Sequence, residues 1–216
     1  MDKPHIIINE SKLFIKELVD PIRTLRTNLL TKNENVSSIA FTSTTAGEGK
    51  TMLSFLFAMS LSQCGKKTVW INCDLHKESK LFTYKPETLK GEKKMGLSEY
   101  LKEKCGLDQI IYGCKEKNLD VIPSGEKFMA VGDLFEEENF LHFLKEMKSN
   151  YDYVILDSPA VENHVETTII GSKCDGIVFV IQHNKVKRTK AAEAVEMLKN
   201  NNGNIVGAVL NNIPPR

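Results

Sequence analysis

Apolar residues along the chain follow two rhythms. Short runs that are apolar at successive positions alternate with longer segments whose apolar residues recur every three or four places. That alternation predicts β-α-β units around a mostly parallel sheet. Strands are expected at about 37–43, 68–73, 119–123, 153–157 and 176–181, with 205–211 as the sixth. Several are apolar on both pleat faces, as in Val154-Ile155-Leu156 and Ile177-Val178-Phe179-Val180-Ile181. Strands covered by helices on both sides read this way.

Helices are expected after Lys50, where Leu53, Phe55, Leu56, Ala58 and Met59 supply an apolar face, and at about 136–148 and 189–198. Asp20 before Pro21 marks a further helix start, since Asp caps free N–H groups and Pro fits the first turn. Residues 76–94, rich in Lys, Glu and Thr without clear periodicity, read as a loop excursion. No internal repeat is visible. The expected fold is a single α/β unit over 1–216, a P-loop NTPase-like, mostly parallel sheet flanked by helices on both faces.

The chemistry concentrates between the first strand and its helix, in Ser43-Thr44-Thr45-Ala46-Gly47-Glu48-Gly49-Lys50-Thr51. Glycines at 47 and 49 let the backbone curl its N–H groups inward. Lys50 reaches toward the β and γ phosphates, and Thr51 offers its hydroxyl to Mg²⁺. The helix start adds its positive end. The common phosphate-loop pattern has Gly where this chain has Thr44, so the match is to a variant. Thr45, Ala46, Gly47, Glu48, Gly49, Lys50, Thr51 and Met52 are therefore the candidate nucleotide-binding residues, with ATP and Mg²⁺ the expected ligands. Because Mg²⁺ keeps several waters and takes few carboxylates, acidic residues at neighbouring strand ends are sought. Asp157, closing 153–157, and Asp74, following 68–73, meet that need. Asn72 is neutral and cannot serve as a carboxylate base.

Composition narrows the classes. The 216 residues are 41% hydrophobic and carry 29 Lys plus Arg against 28 Asp plus Glu, a net charge of +1. That balance argues against binding nucleic acid or acidic membrane through bulk charge. The five cysteines are odd in number and scattered, without a C-x-x-C pair, which fits a reducing cytosol. No run approaches 18 consecutive apolar residues, so neither a signal peptide nor direct membrane insertion is expected.

These motifs together resemble a known family, the bacterial tyrosine kinases of capsule and exopolysaccharide synthesis, in the cytoplasmic Gram-positive form that works with a separate membrane activator. The resemblance runs from about Leu18 to Asn212. The family's loop S-x-x-P-G-x-G-K-[ST] is matched by residues 43–51 except for Ala46 in place of Pro. Its D-x-D-x-R reads Asn72-Cys73-Asp74-Leu75-His76, so only the second Asp is kept. Its D-x-x-P becomes Asp157-Ser158-Pro159-Ala160. An N-terminal E-x-x-R-x-x-R helix mediates ring-like self-association in the family, and Asp20, Arg23 and Arg26 match it with Asp for Glu. Framework segments at 96–98, 119–125 and Val209-Leu210-Asn211 also correspond.

The resemblance implies a nucleotide-binding core at about 37–212 and an oligomerisation helix at about 11–31. Lys50, Asp74 and Asp157 would be catalytic, Thr51, Asp74 and Asp157 would hold the metal, and Asn211 would lie near the adenine. It further implies autophosphorylation on tyrosine within a ring oligomer, and a transmembrane co-polymerase-type activator that brings a cytoplasmic protein to the inner face of the membrane. Three departures stand against full activity: Asn72 and His76 in the acidic motif, dispersed tyrosines with no tyrosine-rich tail, and Met129-Ala130-Val131-Gly132 in place of a Pro-Asn-Pro loop. The alternatives are a nucleotide-dependent pseudokinase scaffold and a partitioning-type ATPase. The latter usually carries an extra Lys early in its loop, where this chain has Thr45.

Overall fold

The computed structural model describes residues 3–9, 16–33, 35–77, 79, 81–84, 93–128, 131–136 and 138–214. Nine strands are found among them: β1 (Ile6–Ile8), β2 (Ser38–Ser43), β3 (Thr68–Asn72), β4 (Phe82–Tyr84), β5 (Tyr112–Gly113), β6 (Leu119–Ile122), β7 (Tyr153–Asp157), β8 (Gly176–Gln182) and β9 (Ile205–Asn211). Seven form one sheet in the order β5-β6-β3-β7-β2-β8-β9. Every pair in it is parallel except the short edge pair β5–β6. The α-helices are α1 (Val19–Lys32), α2 (Lys50–Gln63), α3 (Leu97–Leu101), α4 (Val131–Glu136), α5 (Glu138–Asn150), α6 (Glu166–Lys173) and α7 (Arg188–Asn200).

The apolar runs are apolar throughout because each strand feeds two cores. Ala40, Val69, Ile71, Val154, Leu156, Ile177 and Phe179 face a cluster completed by Leu134, Phe135, Phe140, Phe143 and Leu198 from α4, α5 and α7. Their neighbours Ile39, Phe41, Trp70, Ile155, Val178 and Val180 face the opposite cluster, filled by Ile22 and Leu29 of α1 and Phe55, Phe57 and Leu61 of α2. Each such large side chain contributes about 1.5–3 kcal/mol of transfer free energy. Trp70 is fully buried, and its indole N–H donates to Ser54 Oγ at 2.9 Å.

The six expected strands are all present, with ends that differ by at most one residue. The excursion at 76–94 is not wholly a loop. Within it β4 pairs antiparallel with β1, Ile6 opposite Tyr84, and buries Ile6 and Phe82 against the α2 side of the sheet. Tyr84 of β4 sits edge-on to Tyr112, ring centroids 5.2 Å apart. Residues 78, 80 and 85–92 of that segment, 11–15 of the expected N-terminal helix, and Met129 and Ala130 lie outside the described residues.

The phosphate loop leaves the C-terminal end of β2, a central strand between β7 and β8. Pairing sets Asp157 beside Phe41 on one side and beside Asn72 on the other. Ligands of open α/β sheets bind in the crevice at this end of the strands.

Candidate functional site

The loop 44–49 folds as its glycines require. Gly47 and Gly49 both have left-handed φ, +77° and +94°, a region that costs other residues strain. A Cβ at Gly49 would stand 2.2 Å from Asn211 Nδ2, and one at Gly47 would stand 2.8 Å from Lys185 Nζ. Loop shape is held by Glu48, whose side chain is fully buried. Its Oε1 accepts from the Thr45 N–H at 2.6 Å and the Thr45 hydroxyl at 3.2 Å, and its Oε2 accepts from the Gln182 N–H at 2.9 Å. The carboxylate thus faces protein donors, and any ligand contact by Glu48 falls to its main chain. Asn211 Nδ2 donates to the Glu48 carbonyl at 2.9 Å, and exposed Lys185 donates to the Ala46 carbonyl at 2.8 Å.

α2 starts on Gly49 with no side-chain cap. Its first N–H groups therefore point at the loop, as at an anion-binding helix start. Lys50, its first residue, is only 2% exposed. Burial lowers the Lys50 pKa, with Asp157 the strongest influence in the other direction. Burial in turn raises Asp157 from the usual carboxylate range to about 7, against the pull of the Lys50 ammonium and a hydrogen bond with Thr51. Met52, in the first turn of α2, packs against the α2-side core.

Among the described residues, the buried atoms Asp157 Oδ1, Thr44 Oγ1 and Ser158 Oγ have no hydrogen-bond partner. Orphaned buried polar atoms are rare in native interiors and ask for a partner. A carboxylate oxygen beside a lysine, with further unpartnered hydroxyls at the same strand ends, suits a hard, oxygen-loving cation and phosphate oxygens. The residues present therefore fit a Mg-nucleotide.

The β3 end supplies the second acidic group. Asn72 Oδ1 accepts the Asp74 N–H at 3.0 Å, a turn in which a side chain bonds its own backbone two residues on. Asn72 thereby shapes the bend that presents Asp74. Asp74 is 4% exposed and pairs with Lys77 Nζ at 2.7 Å. Lys77 and Lys185 went unnoticed in the sequence because neither lies in a motif, and only the fold brings them to the loop.

Beyond Asp74, His76 Nε2 lies 2.5 Å from Glu166 Oε1, and His164 Nδ1 lies 3.3 Å from the same oxygen. The two imidazoles lie against each other with centroids 4.3 Å apart and ring planes tilted by 35°. His164 and Glu166 also carried no sequence signal, being spaced like ordinary loop and helix-start residues.

At the N-terminus the matched residues separate. Arg23 pairs with Asp20 at 3.5 Å, and both side chains are exposed. Arg26 instead turns inward, its Nη1 donating to the Ser60 carbonyl at 2.6 Å and the Ser60 hydroxyl at 2.5 Å. It is half-buried and ties α1 to α2.

Residues 36–206 match the family model described as an AAA domain. The tyrosine-protein kinase CpsD of Streptococcus agalactiae is 31% identical over 199 residues, covering 92% of this chain and 85% of that protein. The crystal structure of the chimerical protein CapA2B2 superposes with a TM-score of 0.84 at 23% identity, covering 97% of this chain and 93% of that one. The septum site-determining protein MinD of Pyrococcus horikoshii, complexed with Mg-ADP, shares the fold less closely, with a TM-score of 0.65 at 19% identity over 81% of this chain and 69% of that one.

Proposed function

The chain belongs to the AAA-domain family and to the bacterial tyrosine-protein kinases, and we propose that it uses Mg-ATP to phosphorylate tyrosine and so regulates capsule or exopolysaccharide synthesis. The observation that carries this reading is Lys50, buried at the head of α2 against a carboxylate whose Oδ1 has no partner among the described residues. Loop N–H groups and the Lys50 ammonium would hold the phosphate chain. Thr51, Asp157 and Asp74 would hold Mg²⁺, which when bound offsets charge on the phosphate oxygens.

Phosphoryl transfer leaves the protein mainly positioning and charge stabilisation. Lys50, buried at the head of α2, would set its ammonium against the transferring group. Asn72 is neutral and its Oδ1 is engaged, so Asp74 is the carboxylate on the β3 loop left to receive the proton of the attacking tyrosine hydroxyl. Glu48 and Asn211 keep the loop in its curled form. Exposed Asp20 and Arg23 are the surface we assign to self-association. Among the described residues no helix is long and apolar enough to cross a membrane. We place the protein in the cytoplasm, at the inner face of the membrane through a transmembrane co-polymerase-type activator.

The test is a phosphotyrosine assay with ATP and Mg²⁺, on the protein alone and with the cytoplasmic segment of such an activator. Activity that disappears in Lys50→Met supports the reading. ATP binding without phosphotyrosine in either setting, restored by Asn72→Asp, would instead mean a nucleotide-binding scaffold. Unchanged nucleotide affinity in Lys50→Met would overturn the phosphate-loop assignment itself.

A further inference from the structure

We infer that His76, His164 and Glu166 form a second cation site, selective for a borderline transition-metal ion of the zinc class rather than for Mg²⁺. One ligand atom from each converges within a 4.8 Å span. Two imidazole nitrogens and one carboxylate oxygen are the donor set of three-ligand zinc sites, with the fourth position left to water. Imidazole suits zinc-class ions, whereas Mg²⁺ prefers oxygen donors throughout.

The geometry is close to what such an ion needs. Ligand atoms of a tetrahedral centre with bonds of about 2.0–2.2 Å stand roughly 3.3 Å apart. His164 Nδ1 and Glu166 Oε1 are already 3.3 Å apart. His76 Nε2 and Glu166 Oε1, at 2.5 Å, need to open by less than ~1 Å. The Glu166 carboxylate is 4% exposed while the imidazoles are 30% and 26% exposed, so the anchor is fixed and an ion can enter from the imidazole side. Each nitrogen that now faces the carboxylate would give up its proton to the metal bond. A neutral ring does so by moving that proton to its other nitrogen.

The three ligands come from two strand ends. His76 follows β3 on the same turn as Asp74, while His164 and Glu166 follow β7 and Asp157. An ion here would fasten together the two loops that carry the candidate catalytic carboxylates. The inference does not rest on the kinase reading, so it can fail while that reading stands.

The experiment titrates the metal-stripped full chain with Zn²⁺ by calorimetry and with Co²⁺ by absorption spectroscopy. One equivalent of Zn²⁺ and a tetrahedral cobalt spectrum are expected. Stoichiometric binding should vanish in His164→Ala and in Glu166→Gln, and persist in Asp157→Asn, with melting curves confirming that each variant is folded. His76→Gln serves as a replacement where either imidazole or carboxylate variant fails to fold. Three results would overturn the inference: no binding, binding lost in Asp157→Asn but kept in His164→Ala, or a cobalt-thiolate band placing the ion on a cysteine.

Discussion

The side-chain amide of Asn211 donates to the main-chain carbonyl of Glu48 at 2.9 Å, joining the last strand to the phosphate loop. Asn211 pairs in register with Gln182, whose own N–H donates to the Glu48 carboxylate at 2.9 Å. The loop is therefore shaped by the ends of β8 and β9 as well as by its own glycines. A loop held curled before nucleotide arrives spares the ligand the cost of ordering it.

Asn211→Ala removes the donor to a buried carbonyl and should cost roughly 1–2 kcal/mol of stability. Nucleotide affinity should fall with it, since the curl around Gly49 loses its outer strut. Titration with a fluorescent ATP analogue, beside thermal melts, measures both. Asn211→Asp, which sets an acceptor against a carbonyl, should be worse than Ala. Equal affinity in all three proteins would mean that the loop needs no strut.

Glu48→Ala takes an acceptor from the Thr45 and Gln182 N–H groups together. Two part-buried donors would lose their partner, at up to about 1–3 kcal/mol each. The expected outcome is a large drop in melting temperature and loss of nucleotide binding. Glu48→Gln keeps one carbonyl acceptor and should lie between wild type and Ala on both readouts.

These two residues show what a sequence discloses. The phosphate loop and six strands were legible because strand-length apolar runs and a spaced Gly-x-Gly-Lys-Thr are local signals. The role of the Glu48 carboxylate was not, because its acceptor duty is toward a strand 134 positions away. β4 was missed for a related reason. Phe82-Thr83-Tyr84 among lysines and glutamates carries too little pattern, and its strand character comes from pairing with β1. His164 and Glu166 are unremarkable in sequence and acquire meaning only opposite His76.

The paired arginines of α1 should behave differently from each other. Arg26 spends its guanidinium on Ser60 within the protomer, so Arg26→Ala should lower stability by about 1–3 kcal/mol. Arg23 is exposed and its pair with Asp20 is worth little to the monomer. Arg23→Ala should leave the melting temperature within a degree or two while reducing the mass of the assembly. Light scattering and melts on the two single variants decide this. A smaller assembly in Arg26→Ala alone would reverse the assignment of the exposed surface.

Asp175 answers to acid. Burial alone would raise its pKa, but hydrogen bonds from Lys148, from the Ser38 and Ser37 N–H groups and from the Ser37 hydroxyl hold it well below the usual carboxylate range. A carboxyl lowered by folding stabilises the protein above the unfolded value near 3.9 and loses that contribution as pH falls below it. Asp175→Asn should therefore lower stability at neutral pH and give a shallower decline below pH ~4. Chemical denaturation at a series of acid pH values tests this, and parallel curves for the two proteins would refute it.

Asp157 has the opposite linkage in a different window. Folding raises its pKa to about 7, so between ~4 and ~7 the folded protein holds a proton that the unfolded chain has released. Stability without nucleotide should then be greatest on the acid side of that window, fall as pH rises through it, and level off above. Asp157→Asn removes the ionising group and should flatten this slope, raising the melting temperature at pH 8 while abolishing Mg-dependent nucleotide binding. Adding Mg-ATP should reverse the wild-type trend, because a bound cation favours the ionised carboxylate. Melting curves from pH 5 to 8, with and without Mg-ATP, separate these effects. If Asp157→Asn followed the wild-type pH slope without nucleotide, the buried carboxyl would not be the group that sets it.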